Sequence, residues 1–248
     1  MSNKSAAPDA ASVIMMTRRP LREPAGVEVV LGVFERSKTW APSHIGPDER
    51  ARTPYARAEA LRILTLRPKD DDSYIGLKRT KAPRYDAFFY TNNDGLKDVH
   101  VTFPDGLTET ELPDVFALGD ALATELAADF GMVSVAWVAG TKGKGAGSFG
   151  AKSLQQHGLS KVYPRTYFGP ELVRRFGHAT LAKCGSAEDL PYGGLRLDLA
   201  TPPWKVTATG LERARKAALV TLLPSGLFGD FTKPWRPVPG PKWTPLPT

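Results

Sequence analysis

Cysteine is nearly absent from this sequence: 248 residues contain one, Cys184. A single thiol closes no intrachain disulfide, so the fold is held by packing alone, which suits a reducing compartment. Histidine is sparse as well. His44, His100, His157 and His178 include no helical i, i+4 pair, and no C-x-x-C accompanies them, so neither a metal nor another cofactor is expected. The acidic run Asp70, Asp71, Asp72 lacks the spaced ligands, glycine and closing glutamate of a calcium loop and reads as a solvated turn. Long apolar runs are missing too. Nothing approaches the ~20 apolar residues of a membrane span, and the N-terminus offers only Val13 to Met16 where a secretory signal needs roughly 7–15. The expectation is a cytoplasmic protein that does not engage membranes.

Hydrophobic residues make up 42% of the chain, enough for a real core, and 24% charged residues argue against global disorder. Proline (22) and glycine (23) imply many turns and long loops. Residues 1–24 read as a flexible tail, 25–232 as one domain, and 233–248, where six prolines stand from Pro234 on, as an extended arm anchored by Trp235 and Trp243.

The net charge of +7 is concentrated. Between Gly140 and Lys183 stand eight basic residues (Lys142, Lys144, Lys152, Lys161, Arg165, Arg174, Arg175, Lys183) against one acid, Glu171, so the rest of the chain is neutral. Such a segment attracts nucleic acid, phosphate or an acidic protein surface, or forms a solvated face.

Apolar β-branched VEVVLGVFE at 27–35 predicts a strand. Pro47, Asp48 and Glu49 predict a helix start whose apolar stripe runs through AEALRIL, with Pro54 shortening or kinking it. The runs 84–91 and 97–103, joined by Asn92, Asn93, Asp94 and Gly95, predict an antiparallel hairpin. Val115, Leu118, Leu122 and Leu126 mark a helix over 112–131 capped by Gly131, and MVSVAWVAG a buried strand after it. A short extended piece at 161–167, a helix in GPELVRRFG, a strand at 194–199 and a helix from Leu211 complete the order. Strands and helices do not alternate regularly, so the expected class is α+β, a mostly antiparallel sheet with helices packed on it.

The loop GTKGKGAGSFG invites three chemical readings. Gly145, Gly147 and Gly150 match G-x-G-x-x-G, but AKSLQQHG after them is too short and polar for the helix that a dinucleotide fold needs. Lys144 is followed by Gly145 instead of the hydroxyl residue of a P-loop. Ser148 in A-G-S-F-G approaches a nucleophile elbow, with His157 or His178 as its base, yet the glycine-rich lead-in opposes the tight strand–turn–helix geometry. Cys184 with His178 makes an equally cheap dyad, and a half-buried structural thiol is the plainer reading. No catalytic residue is assigned. Tyr163, Tyr167 and Phe168, interleaved with the basic residues, leave stacking against nucleic acid open as well.

The stretches KVYPRTYFGPELVRRFG, PYGGLRLDLATPPW and LERARKAALVTLLP, in that order, resemble bacterial type VI secretion and related polymorphic-toxin immunity proteins. The resemblance covers residues 161–224, and the chain's basic excess departs from the acidity of an inhibitor of a basic nuclease. It implies a non-catalytic protein that binds a cognate toxin, with an acidic or carboxylate-lined surface, and covers its active site. The implied contacts are the basic residues Lys142, Lys144, Lys152, Lys161, Arg165, Arg174 and Arg175, with Tyr163, Tyr167 and Phe168 as aromatic anchors, although core packing is an equal reading of Tyr167 and Phe168. A small hydrolase using Ser148 and a nucleic-acid-binding protein using the basic segment remain as alternatives.

Overall fold

A computed structural model describes residues 8, 10–48, 50–65, 74–90, 95–104, 107–137 and 149–229. Its frame is one ten-stranded antiparallel sheet with seven α-helices, so the α+β reading holds. The strands are β1 (Ala10–Thr17), β2 (His44–Gly46), β3 (Thr53–Pro54), β4 (Tyr74–Arg79), β5 (Tyr85–Tyr90), β6 (Lys97–Phe103), β7 (Phe130–Ala136), β8 (Arg165–Phe168), β9 (Ser186–Asp189) and β10 (Leu195–Asp198). The helices are α1 (Pro24–Glu35), α2 (Arg57–Thr65), α3 (Leu112–Leu126), α4 (Ala151–His157), α5 (Pro170–Phe176), α6 (His178–Ala182) and α7 (Ala208–Leu222). Across the sheet the order is β3-β2-β4-β5-β6-β1-β7-β8-β10-β9.

Two expectations for the N-terminal region are corrected. Residues 10–17 belong to no tail: β1 is a central strand, paired with β6 on one edge and β7 on the other. Val13 lies in register with Val101 and Val133, all three buried. A strand covered on both faces has no polar phase, so SVIMM shows neither alternation nor length and resembles nothing but a short apolar run. The segment 27–35, expected as a strand, is the body of α1. Val27, Val30, Leu31 and Phe34 face the core at three- and four-residue spacing, and Pro24 begins the helix, so tertiary burial overrides the β-branched propensity. Gly26 is there because a Cβ would sit 2.0 Å from the Pro20 carbonyl oxygen.

Elsewhere the boundaries move. The expected helix start at Pro47 is a turn after β2, Pro54 lies in the short edge strand β3, and α2 begins at Arg57. The 84–103 hairpin forms as β5 and β6, its Asn92–Asp94 tip lying outside the described residues. α3 ends at Leu126, capped by Ala127 in the left-handed conformation (φ 46°, ψ 57°), while Gly131 lies inside β7. AKSLQQH does form a helix, α4, whose first N–H at Ala151 donates to the Asp98 carboxylate at 2.8 Å. α7 starts at Ala208, where the Thr207 Oγ1 accepts from the Gly210 N–H at 3.1 Å. The arm 233–248, with Trp235 and Trp243, lies outside the described residues.

Strand alternation sorts the core into two layers. On one face α3 packs on β1 and β7, with α1 against α3. On the other, Phe130, Phe168 and Phe176 meet edge to face, with centroids 6.2 Å and 5.5 Å apart, and bring α5 onto β8. None of the helices among the described residues is long and apolar enough to cross a membrane.

The burial of β1 is directly testable. A chain beginning at Arg18 should show no cooperative urea transition, whereas loss of a mere tail would leave the midpoint unchanged. Met15→Ala, fully buried in β1, should cost about 2–5 kcal/mol in the same assay.

Candidate partner-binding surface

The aromatic anchors expected from the sequence lie in the interior. Tyr163 is 2% exposed, Arg165 4%, Tyr167 0% and Phe168 1%, so none of the four forms a contact surface in this fold. β8 runs between β7 and β10 with both faces covered, and RTYF therefore combines an interior guanidinium with interior rings.

Arg165 is charged in that interior because three elements neutralise it. Its Nε and Nη2 donate to the two Asp198 oxygens of β10 at 2.6 Å and 2.7 Å, and its Nη1 donates to Asp120 Oδ2 of α3 at 2.7 Å. The Phe116 ring lies 5.2 Å from the guanidinium carbon. Desolvation works against the charge, but the Asp198 hydrogen bonds, Tyr167 and both carboxylates outweigh it and hold Arg165 more firmly protonated than usual. Asp120 also accepts from the Tyr167 hydroxyl at 2.8 Å, and Arg196 approaches it at 3.4 Å. Burial raises the Asp120 pKa, opposed by Arg165, Tyr167 and Arg196. At a bidentate 2.6–2.7 Å geometry on Asp198, the guanidinium is a structural clamp between α3, β8 and β10.

The other basic residues are distributed in three ways. Lys142 and Lys144, with Ser148, lie outside the described residues, and Lys152 falls on α4. Lys161 is half-buried with its ammonium 5.3 Å from the Tyr163 ring centre, its pKa lowered first by burial and then by Arg215. Arg174 and Arg175 share one carboxylate, Glu171, three and four residues back on α5, with Arg175 Nε at 2.6 Å. Of the charges that looked like a cationic stripe, Arg165 is thus neutralised in the interior and Lys161 half-buried, while Arg174 and Arg175 share one carboxylate on the outside of α5. Cys184 packs against α7, its Sγ 3.9 Å from the Ala218 carbonyl oxygen and its pKa raised by burial, while His178 pairs with Asp189 at 2.9 Å.

One surface went unread in the sequence. α7 buries Leu211, Ala218 and Leu222, which leaves Arg213, Lys216, Ala217, Val220 and Leu223 exposed along one side at three- and four-residue spacing. Val220 is 76% and Leu223 53% exposed, the large hydrophobic side chains most open to solvent among the described residues. The sequence signal was the departure of Val220 and Leu223 from the Leu211, Ala218, Leu222 stripe. A pair of apolar side chains beside two cations suits a protein surface with an apolar patch bordered by carboxylates.

Removing one partner of the interior clamp should show its structural role. Asp198→Asn is expected to cost about 3–5 kcal/mol in urea unfolding, because it leaves the guanidinium under-compensated. Val220→Ser, on the surface stripe, should change stability by no more than about 0.5 kcal/mol.

No family model matches the chain, and no curated protein matches it. Among solved structures, the chain is similar to the Pseudomonas aeruginosa T6SS protein PA0821, with a TM-score of 0.57 and 14% sequence identity over 88% of this chain and 76% of that one. At that identity the likeness is one of fold.

Proposed function

We propose that this chain belongs to the type VI secretion setting and acts there as an immunity protein, a non-catalytic binder that neutralises a cognate toxin by covering its active site. The observation that carries the reading is the fold likeness to a T6SS protein across 88% of the chain. A second support is local: β8, α5, β10 and α7 realise, in order, the elements that resemble immunity proteins in the sequence.

The binding surface in this reading is the exposed side of α7. Val220 and Leu223 supply the apolar anchor, and Arg213 and Lys216 complement carboxylates beside the partner's patch. Nucleic acid is the weaker reading, because Arg165 is buried between Asp198 and Asp120, and Arg174 and Arg175 are partly offset by the Glu171 carboxylate they share.

Co-expression with the product of a neighbouring toxin gene, followed by pull-down and growth rescue, tests the proposal. A stable complex that restores growth is expected. Val220→Asp with Leu223→Asp should weaken it by at least about 2 kcal/mol, roughly thirtyfold in Kd, while melting stays unchanged. Killing that persists with no complex formed overturns the reading.

A further inference from the structure

Segment 78–86, KRTKAPRYD, forms the turn between β4 and β5 and carries four cations, Lys78, Arg79, Lys81 and Arg84, against one acid, Asp86. Its local charge of +3 is masked in a chain-wide count by acids elsewhere. Nothing in the α7 surface or the interior clamp uses it.

Strand alternation divides these residues between the two faces of the sheet. Arg79 and Tyr85, a register pair, turn their polar ends to the backbone before β2: the Tyr85 hydroxyl donates to the Trp40 carbonyl, and Arg79 Nη1 donates to the Ala41 carbonyl at 2.7 Å. The next pair, Lys78 and Asp86, projects from the other face, with Lys78 Nζ 3.2 Å from Asp86 Oδ1. Thr80, Arg84 and Pro104 continue that face two residues further along each chain, and all three are exposed. This end of the face therefore meets solvent, whereas α4 begins on Asp98 at the other end of β6. Lys78, Thr80, Arg84, Asp86 and Pro104, with the intervening Arg79 and Tyr85, line one cavity of about 410 Å³.

Three donors in this cavity are available to a ligand. Arg84 makes no hydrogen bond or ion pair among the described residues. The Lys78 and Asp86 side chains are 40% and 45% exposed, so their attraction is screened by water and the ammonium is able to turn to a second anion. Thr80 Oγ1 stands 3.3 Å from Ser43 Oγ, longer than the ~2.5–3.0 Å of a firm hydroxyl hydrogen bond, so it too is able to turn.

An ammonium, a guanidinium and a hydroxyl around one cavity match a group with three acceptor oxygens. A phosphate offers three and carries a charge of about −1.5 to −2 at neutral pH. A carboxylate offers two oxygens and one charge, and Asp86 already supplies one to Lys78 on this face. Size points the same way. A cavity of about 410 Å³ lies within the ~300–1,000 Å³ of small-molecule sites, which leaves space for an organic body beside Pro104, the one wholly apolar side chain of the lining.

We propose that the β4–β5 turn is a phosphate-binding site, in which Lys78, Arg84 and Thr80 donate to the phosphate oxygens and Asp86 holds Lys78 in place until the anion arrives. The site stands apart from α7 and does not depend on the immunity reading.

The test is an amide NMR titration of the full-length ¹⁵N-labelled chain with phenyl phosphate, inorganic phosphate and benzoate, at constant ionic strength and neutral pH. Phenyl phosphate should shift the amides of residues 78–86 saturably, with a Kd of about 1 mM or tighter, and benzoate should bind at least about tenfold more weakly. Lys78→Gln and Arg84→Gln should each weaken phenyl phosphate about tenfold. Asp86→Asn, which removes a repelling charge and releases Lys78, should tighten it by about threefold. Thermal melting of the three variants checks that the hairpin remains folded. Inorganic phosphate binding as tightly as phenyl phosphate identifies the ligand as the free ion, and weaker binding identifies it as a phosphomonoester; both support the site. An absence of saturable shifts in 78–86 overturns the proposal, as does binding indifferent to Lys78→Gln and Arg84→Gln. Benzoate binding as tightly as phenyl phosphate overturns it too, since the turn then docks carboxylates, such as those of an acidic protein surface.

Discussion

β1 carries the fold. Its two edges are hydrogen-bonded to β6 and β7, and it alone joins the five strands on one side of the sheet to the four on the other. A strand in that position has no solvent face and no free edge, so every side chain from Ala11 to Thr17 is buried. The requirement propagates outward. β6 and β7 must present Val101 and Val133 in register with Val13, and α3 must lay its apolar stripe over the seam. α3 then approaches so closely that a Cβ on Gly119 would stand 2.7 Å from both the Tyr167 hydroxyl and Val133.

That approach creates the second fixed point. Once α3 lies over β7 and β8, Asp120 sits above the strand ends, and Arg165 can be charged inside the molecule because Asp198 and Asp120 meet it from two sides. Such a clamp gives register and orientation more than net stability, since desolvation offsets much of the Coulomb attraction. It keeps Arg165 and Tyr167 from the surface, whereas Val220 and Leu223 on the outer side of α7 meet solvent beside Arg213 and Lys216.

What could be read in advance follows from how local each signal is. The β5–β6 hairpin, the body of α3, and α5 with Pro170 and Gly177 all depend on short-range patterns and came out as expected. α1 did not, because VEVVLGVF has the composition of a strand and is helical only through what Val30 and Phe34 meet across the core. β4 and β9 went unread for a related reason. YIGLKR and SAED have weak strand character of their own, and each is a strand because β5 or β10 offers a ladder beside it. The site was less legible than the fold. Arg174, Arg175 and Arg165 are equally basic in sequence, and their carboxylate partners lie from three residues away, as for Glu171, to forty-five, as for Asp120.

The sequence by itself determined the class, the sign of the charge, the dependence on packing without disulfides, and most elements whose hydrogen bonds close within a few residues. Only the tertiary structure decided which apolar run became the central strand, which charges remained on the surface, and which side of the last helix faced solvent. The physical reason is common to all three. Burial belongs to a residue's neighbours in space, and for Met15, Arg165 and Val220 those neighbours are set by strands and helices that local pattern does not name.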